Sequence, residues 1–214
     1  MNDSREWLVP LGTMVAFVVL LIVSFIVAGE PKSADDGPAE VAEWYTDNKD
    51  SAQAGAFIGV VAAVPLLFFG GYLRKVLEPA GSLLSTLPLI GLAIIAVGAA
   101  IDSMLLFAAA EAADDITGPQ LQTIQALWDN DFLPLLLGIM VFLWSSGIAI
   151  LRSDVLPKWL GWIAVVFAVI SLAGPLGFIS FPGALLFVII TGIVLTMRAR
   201  SGPATPATPA SPAA

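Results

Sequence analysis

The chain has no cysteine and no histidine. Without thiols there is no disulfide framework and no thiolate nucleophile, and without imidazole the commonest metal ligand and the axial haem histidine are missing as well. Charge is scarce too. Asp, Glu, Lys and Arg make up 12% of 214 residues, about half the share of a soluble domain. Nine basic residues stand against seventeen acidic ones, a net charge of −8, which argues against nucleic acid as a partner because phosphate binding needs a basic face. What remains is apolar. AVILMFWYC account for 58% of the chain beside 19 glycines, and the mean hydropathy is +0.92. That is the composition of a chain dissolved in lipid, and apolar runs of about 20 residues or more make it all-α.

A spanning helix needs about 20 mostly apolar residues to cover the ~30 Å hydrocarbon core. Residues 8–28, 51–73, 82–110 and 132–151 meet that length. The first run is too long for a signal-peptide core and lacks a basic segment ahead of it, with Arg5 flanked by Asp3 and Glu6, so it reads as an uncleaved helix. The last apolar stretch is interrupted at Gly174-Pro175 and again at Phe181-Pro182-Gly183, where proline and glycine punctuate helices. Two short spans, 159–174 and 182–197, joined by an apolar hairpin at 176–181, fit it better than one. The expected architecture is a polytopic bundle of six transmembrane helices forming a single domain over residues 1–200. Residues 201–214, rich in Pro, Ala and Thr, form a disordered tail.

Loop charges orient the bundle. Arg5, Arg74, Lys75, Arg152, Lys158, Arg198 and Arg200 fall on one side, and only Lys32 and Lys49 on the other, which instead carries twelve acids in residues 29–50 and 111–131. Seven cations against two put both termini in the cytoplasm by the positive-inside bias. The six helix-end cations other than Arg5 also form a collar able to contact anionic lipid headgroups. The outer loops resemble each other: 38–48 and 119–130 both begin with Pro, carry an apolar stripe and a Trp (Trp44, Trp128), and end in Asp-Asn. Each reads as a short amphipathic helix on the outer surface with its Trp in the headgroup layer. With matching Arg-to-Pro elbows at 74–79 and 152–157 they outline a possible parallel repeat.

Asp102 is the one ionisable residue inside an expected span. Gly91, Gly98 and Asp102 lie within about 40° of one another on a helix, a small-residue stripe that admits a neighbouring helix and turns the carboxylate into the bundle. Hydroxyls at Ser24, Thr191 and Ser145 are the available partners for a proton or cation site there. The alternative is a structural carboxylic acid bonded to a hydroxyl or carbonyl. Gly55 and Gly59 form a GxxxG that permits close helix contact, within the chain or between copies. Trp144-Ser145-Ser146-Gly147 places hydroxyls beside an indole, yet no His exists and no Lys lies in a span to activate a serine. Zinc hydrolysis, two-aspartate proteolysis and retinal chemistry each lack a required residue, so no catalytic residue, metal or cofactor is assigned.

At Leu156-Pro157-Lys158-Trp159-Leu160-Gly161-Trp162 the chain resembles an uncharacterised family of actinobacterial multi-span membrane proteins, in which a Leu-Pro-Lys/Arg-Trp-Leu-Gly-Trp elbow precedes a late helix. The resemblance implies a bacterial inner membrane and carries no activity. Physically, Lys158 stays with the headgroups while Trp159 and Trp162 anchor the entering helix at the interface. The resulting expectation is a non-enzymatic accessory or structural subunit of a larger bacterial membrane complex, in contact with lipids and with other subunits or copies of itself. A small-solute or ion transporter coupled through Asp102 is the alternative, and a lipid-binding protein the weaker one.

Overall fold

In hydrocarbon a peptide group has no water to bond, so an apolar chain of this length is driven into helices that satisfy their own backbone. The computed structural model describes residues 8–173, 177 and 179–201, the last by its backbone only, and among these residues there is helix and turn but no strand. Asp3, Arg5 and Glu6, the Gly174-Pro175 break and the tail beyond residue 201 lie outside the described residues. The helices are α1 (Leu8–Ala28), α2 (Pro38–Asp47), α3 (Lys49–Leu77), α4 (Ser82–Ala112), α5 (Gly118–Trp128), α6 (Phe132–Arg152), α7 (Lys158–Ile170) and α8 (Ser180–Ser201).

Five of them, α1, α3, α4, α6 and α8, are long and apolar enough to cross a membrane. The sixth expected span is shorter than its apolar run: α7 has 13 residues, about 20 Å at 1.5 Å per residue, against a core of ~30 Å. The break between the last two helices also sits elsewhere than expected. Helix α8 starts at Ser180, so Pro182 and Gly183 lie in its first turn, where a missing N–H costs nothing because that group has no intrahelical acceptor. The connection between α7 and α8 is therefore 171–179. Within it Gly177 comes against Leu136, four residues into α6, so the connection reaches to about 6 Å from the start of that helix.

The long helices and α7 form a closed ring. Each packs on the next in the order α1, α3, α4, α6, α7, α8, and α8 returns to α1 where Gly192 meets Met14. Leu66, Phe69, Leu73, Leu92, Phe142, Leu143 and Phe187 fill the interior. The helix pairings place the end of α3, both ends of the 153–157 elbow, the start of α1 and the end of α8 at one end of the bundle, here the elbow end. The other is the cap end.

At the cap end α2 and α5 form a second core. Val41, Tyr45 and Leu121 are fully buried there with Ala52 and Ala56 of α3 and Leu106, Ala109 and Ala110 of α4, while Trp44, Ile124 and Trp128 are half-buried around them. The amphipathic helices expected in the outer loops are present, but their stripes face each other and the ends of α3 and α4. Burying apolar surface in a partner helix removes it from water without any bilayer. The two run side by side in the same direction: Gly118 abuts the carbonyl of Pro38, and seven residues further along each helix Tyr45 meets Gln125.

Candidate functional site

Two glycine seams set the helix spacing. At the first, α1 crosses α3 with Gly55 so close to Ala28 that an added Cβ would lie 2.6 Å from its Cα. One turn on, Gly59 faces Ser24 and Ser103, and Ser24 Oγ donates to the carbonyl of Gly55 at 2.9 Å. The GxxxG thus joins two helices of the same chain. At the second seam α4 and α6 run antiparallel: Gly91 lies against Phe142, Ile95 against Gly138, and Gly98 against Leu135. As the α4 position climbs by seven, the α6 position falls by seven.

One step further, the same register sets Asp102 against Asp131, the residue preceding α6. Their charges are close enough to interact, and Asp102 is only partly exposed. Among the described residues neither carboxylate is in an ion pair, and Asp131 Oδ2 is buried with no hydrogen-bond partner. Trp128 Nε1, one turn earlier in the chain, is likewise buried without a partner. Asp131 was legible only as one of the twelve acids of the outer loops. What identifies it is the α4–α6 register, a pairing of distant residues that local periodicity does not carry.

The cap above this pair is held by a polar chain. Tyr45 Oη donates to Gln125 Oε1 at 2.6 Å, and Gln125 Nε2 donates to Asp129 Oδ1 at 2.8 Å. Asp129 Oδ2 accepts from the Ser33 hydroxyl at 3.2 Å and the Ala34 amide at 2.9 Å, and Gln122 Nε2 donates to the Ala34 carbonyl at 2.7 Å. Burial, and then the negative charges of Asp129 and Asp102, push the Tyr45 phenol above its usual pKa. At the rim Lys49 pairs with Asp114 at 2.9 Å, and Gln53 donates to Glu111 at 2.5 Å, tying the start of α3 to the end of α4.

The hydroxyls expected around Asp102 are not brought to it. Ser24 is spent on Gly55, and Ser145 donates to the Val141 carbonyl of its own helix, about 21 Å along α6 from Asp131. Thr191 is fully buried in α8, near the level where Gly192 meets Met14. The collar divides: Lys158 Nζ donates to the carbonyls of Leu151 at 2.8 Å and Ser153 at 2.7 Å, capping the end of α6, and Arg74 Nε donates to Thr86 Oγ1 at 3.1 Å. Arg152 and Arg198 are exposed at the same end as Lys75 and Arg200. Trp159 and Trp162, 49% and 60% exposed, share the outward face of α7. Trp44 and Trp128, by contrast, are anchored in the cap.

A family model described as a domain of unknown function, DUF4386, matches residues 12–199, from α1 to α8. No curated protein and no solved structure matches the chain.

Proposed function

The chain belongs to the DUF4386 family, a domain of unknown function, and from that premise we propose that it is a non-enzymatic membrane protein that carries a proton or small cation, with Asp102 and Asp131 as the exchanging groups. The observation that supports this is their register across the α4–α6 seam with no ion pair to a basic residue among the described residues. Two carboxylates facing each other at low dielectric are balanced most simply by a bound cation, the smallest being a proton. In this reading the bundle sits in a bacterial plasma membrane with six crossings, α7 and the 171–179 connection making the fifth together, and both termini in the cytoplasm. The positive-inside bias and the cations gathered at the elbow end support that orientation.

Purified protein in liposomes containing a pH-sensitive dye tests the proposal. A pH change driven by an imposed sodium or potassium gradient is expected from the native chain, abolished in Asp102→Asn and reduced in Asp131→Asn. No flux from the native chain, or variants that match it, would overturn the reading.

A second reading, an accessory subunit of a larger membrane complex, no longer draws on the glycine seams, since all four expected seam glycines are used inside the chain. It rests on the bulky ridge where α1 meets α3: Phe25, Ile26 and Phe57 are 68%, 74% and 66% exposed. Lipid or another subunit covers that ridge. Purification in mild detergent at native abundance separates the two, since a lone monomer with no accompanying protein counts against the subunit.

A further inference from the structure

Most helical hydroxyls in this protein bond a carbonyl three or four residues back in their own helix. Thr13, Ser145, Ser153 and Thr196 do so at 2.5–2.8 Å, which is how a hydroxyl is satisfied in an apolar interior. Ser24 instead bonds across to Gly55 of α3. Ser146 and Thr191 do neither: both are 0% exposed, and neither hydroxyl oxygen has a hydrogen-bond partner among the described residues. They also belong together. Helices α6 and α8 run in the same direction, with Gly177 at the level of Leu136 and, further along both, the rings of Phe142 and Phe187 in an edge contact at 5.5 Å. Ser146 and Thr191 each lie four residues past those rings, one turn further down both helices.

We propose that Ser146 and Thr191 hold one buried water molecule that bridges α6 and α8. A buried water needs two to four polar partners. Here the two hydroxyls supply two, and the carbonyl of Phe187, one turn back, supplies a further acceptor, since carbonyl oxygen has two lone pairs and the helical bond leaves one open. The Phe142 carbonyl already takes a long second bond from the Ser145 hydroxyl at 3.3 Å. The ligand is neutral, because no Asp, Glu, Lys or Arg is among the buried residues described, and the core beside the two hydroxyls is formed by side chains such as Phe142, Leu143, Phe187 and Val188 that cannot balance an ion. The site is separate from Asp102 and Asp131, about 22 Å away along α6, and does not depend on what that pair does.

A structure of the full chain in lipid at about 2 Å resolution, paired with thermal melts, is the test. Density for one water within hydrogen-bond reach of both hydroxyls is expected. Thr191→Val and Ser146→Ala should each remove it and lower Tm by about 3 °C, the double variant should fall no further than the worse single one, and Thr191→Ser should keep both water and Tm. Hydroxyls turned back onto the Phe142 and Phe187 carbonyls with no density between them would overturn the proposal, as would a direct bond between them or strictly additive losses in the double variant.

Discussion

Tyr45 and Gln125 are eighty residues apart in sequence and 2.6 Å apart in space, both fully buried. The bond joins α2 to α5, the helices of the two expected outer loops. Because both groups are out of water, breaking it strands the survivor. Tyr45→Phe leaves Gln125 Oε1 without its donor and is expected to cost about 1–3 kcal/mol. Amide exchange in α2 and α5 should rise well before exchange in α3 or α6. Equal loosening of the whole bundle would count against a separate cap core.

The same phenol gives a pH dependence. Its ordinary value is 10.0, and burial raises it in the folded state. The folded protein therefore favours the neutral form more than the unfolded chain does. That contribution is present in full below about pH 10 and is lost as pH rises through the folded value. The chain has two tyrosines. An ultraviolet titration should show one of them ionising late and together with loss of cap structure, and Tyr45→Phe should delete that late step. Survival of the late step in the variant would assign it to Tyr72 instead.

The α4–α6 seam predicts a graded series. An alanine at Gly91 would press its Cβ into the backbone of Phe142, which cannot rotate away, so Gly91→Ala should cost about 1–3 kcal/mol in detergent melts. Gly71 opens onto free space, and Gly71→Ala should be neutral or slightly stabilising through helix propensity. Equal effects at the two positions would contradict the seam.

Lys158 and its neighbours in the collar should separate in experiment. Lys158→Met removes two donors from the end of α6 and is expected to cost about 1 kcal/mol, discounted because the side chain is 47% exposed. Arg152→Glu with Arg198→Glu should leave the melt unchanged and lower the anionic lipid carried through purification. A melt that responds to the arginines and not to Lys158 would reverse these assignments.

The long helices were legible because apolar length is a local property: α1 ends at Ala28 as expected, and α3, α4 and α6 run over the expected segments with one to four residues added at their ends. The last pair was not, because Pro182 breaks a helix interior but not a first turn, and the sequence does not say on which side of it a helix begins. The outer helices were legible as amphipathic, whereas what their stripes cover was not, since a stripe of Val41, Trp44 and Tyr45 suits a membrane surface and a facing helix equally. Asp102 follows the Gly91 and Gly98 stripe along α4 and is half-buried. Its opposite number, Asp131, followed only once Gly98 was seen against Leu135, because antiparallel register is set by packing between distant segments.

The union of α2 with α5 constrains how this molecule can move. Each is continuous with a different pair of long helices, so the Tyr45–Gln125 link and the bonds of Asp129 and Gln122 to residues 33–34 fasten the two loops together near one extremity. A relative displacement that keeps those bonds has its freest excursion at the far extremity, like the arms of tongs, where α8 closes onto α1 with Gly192 against Met14.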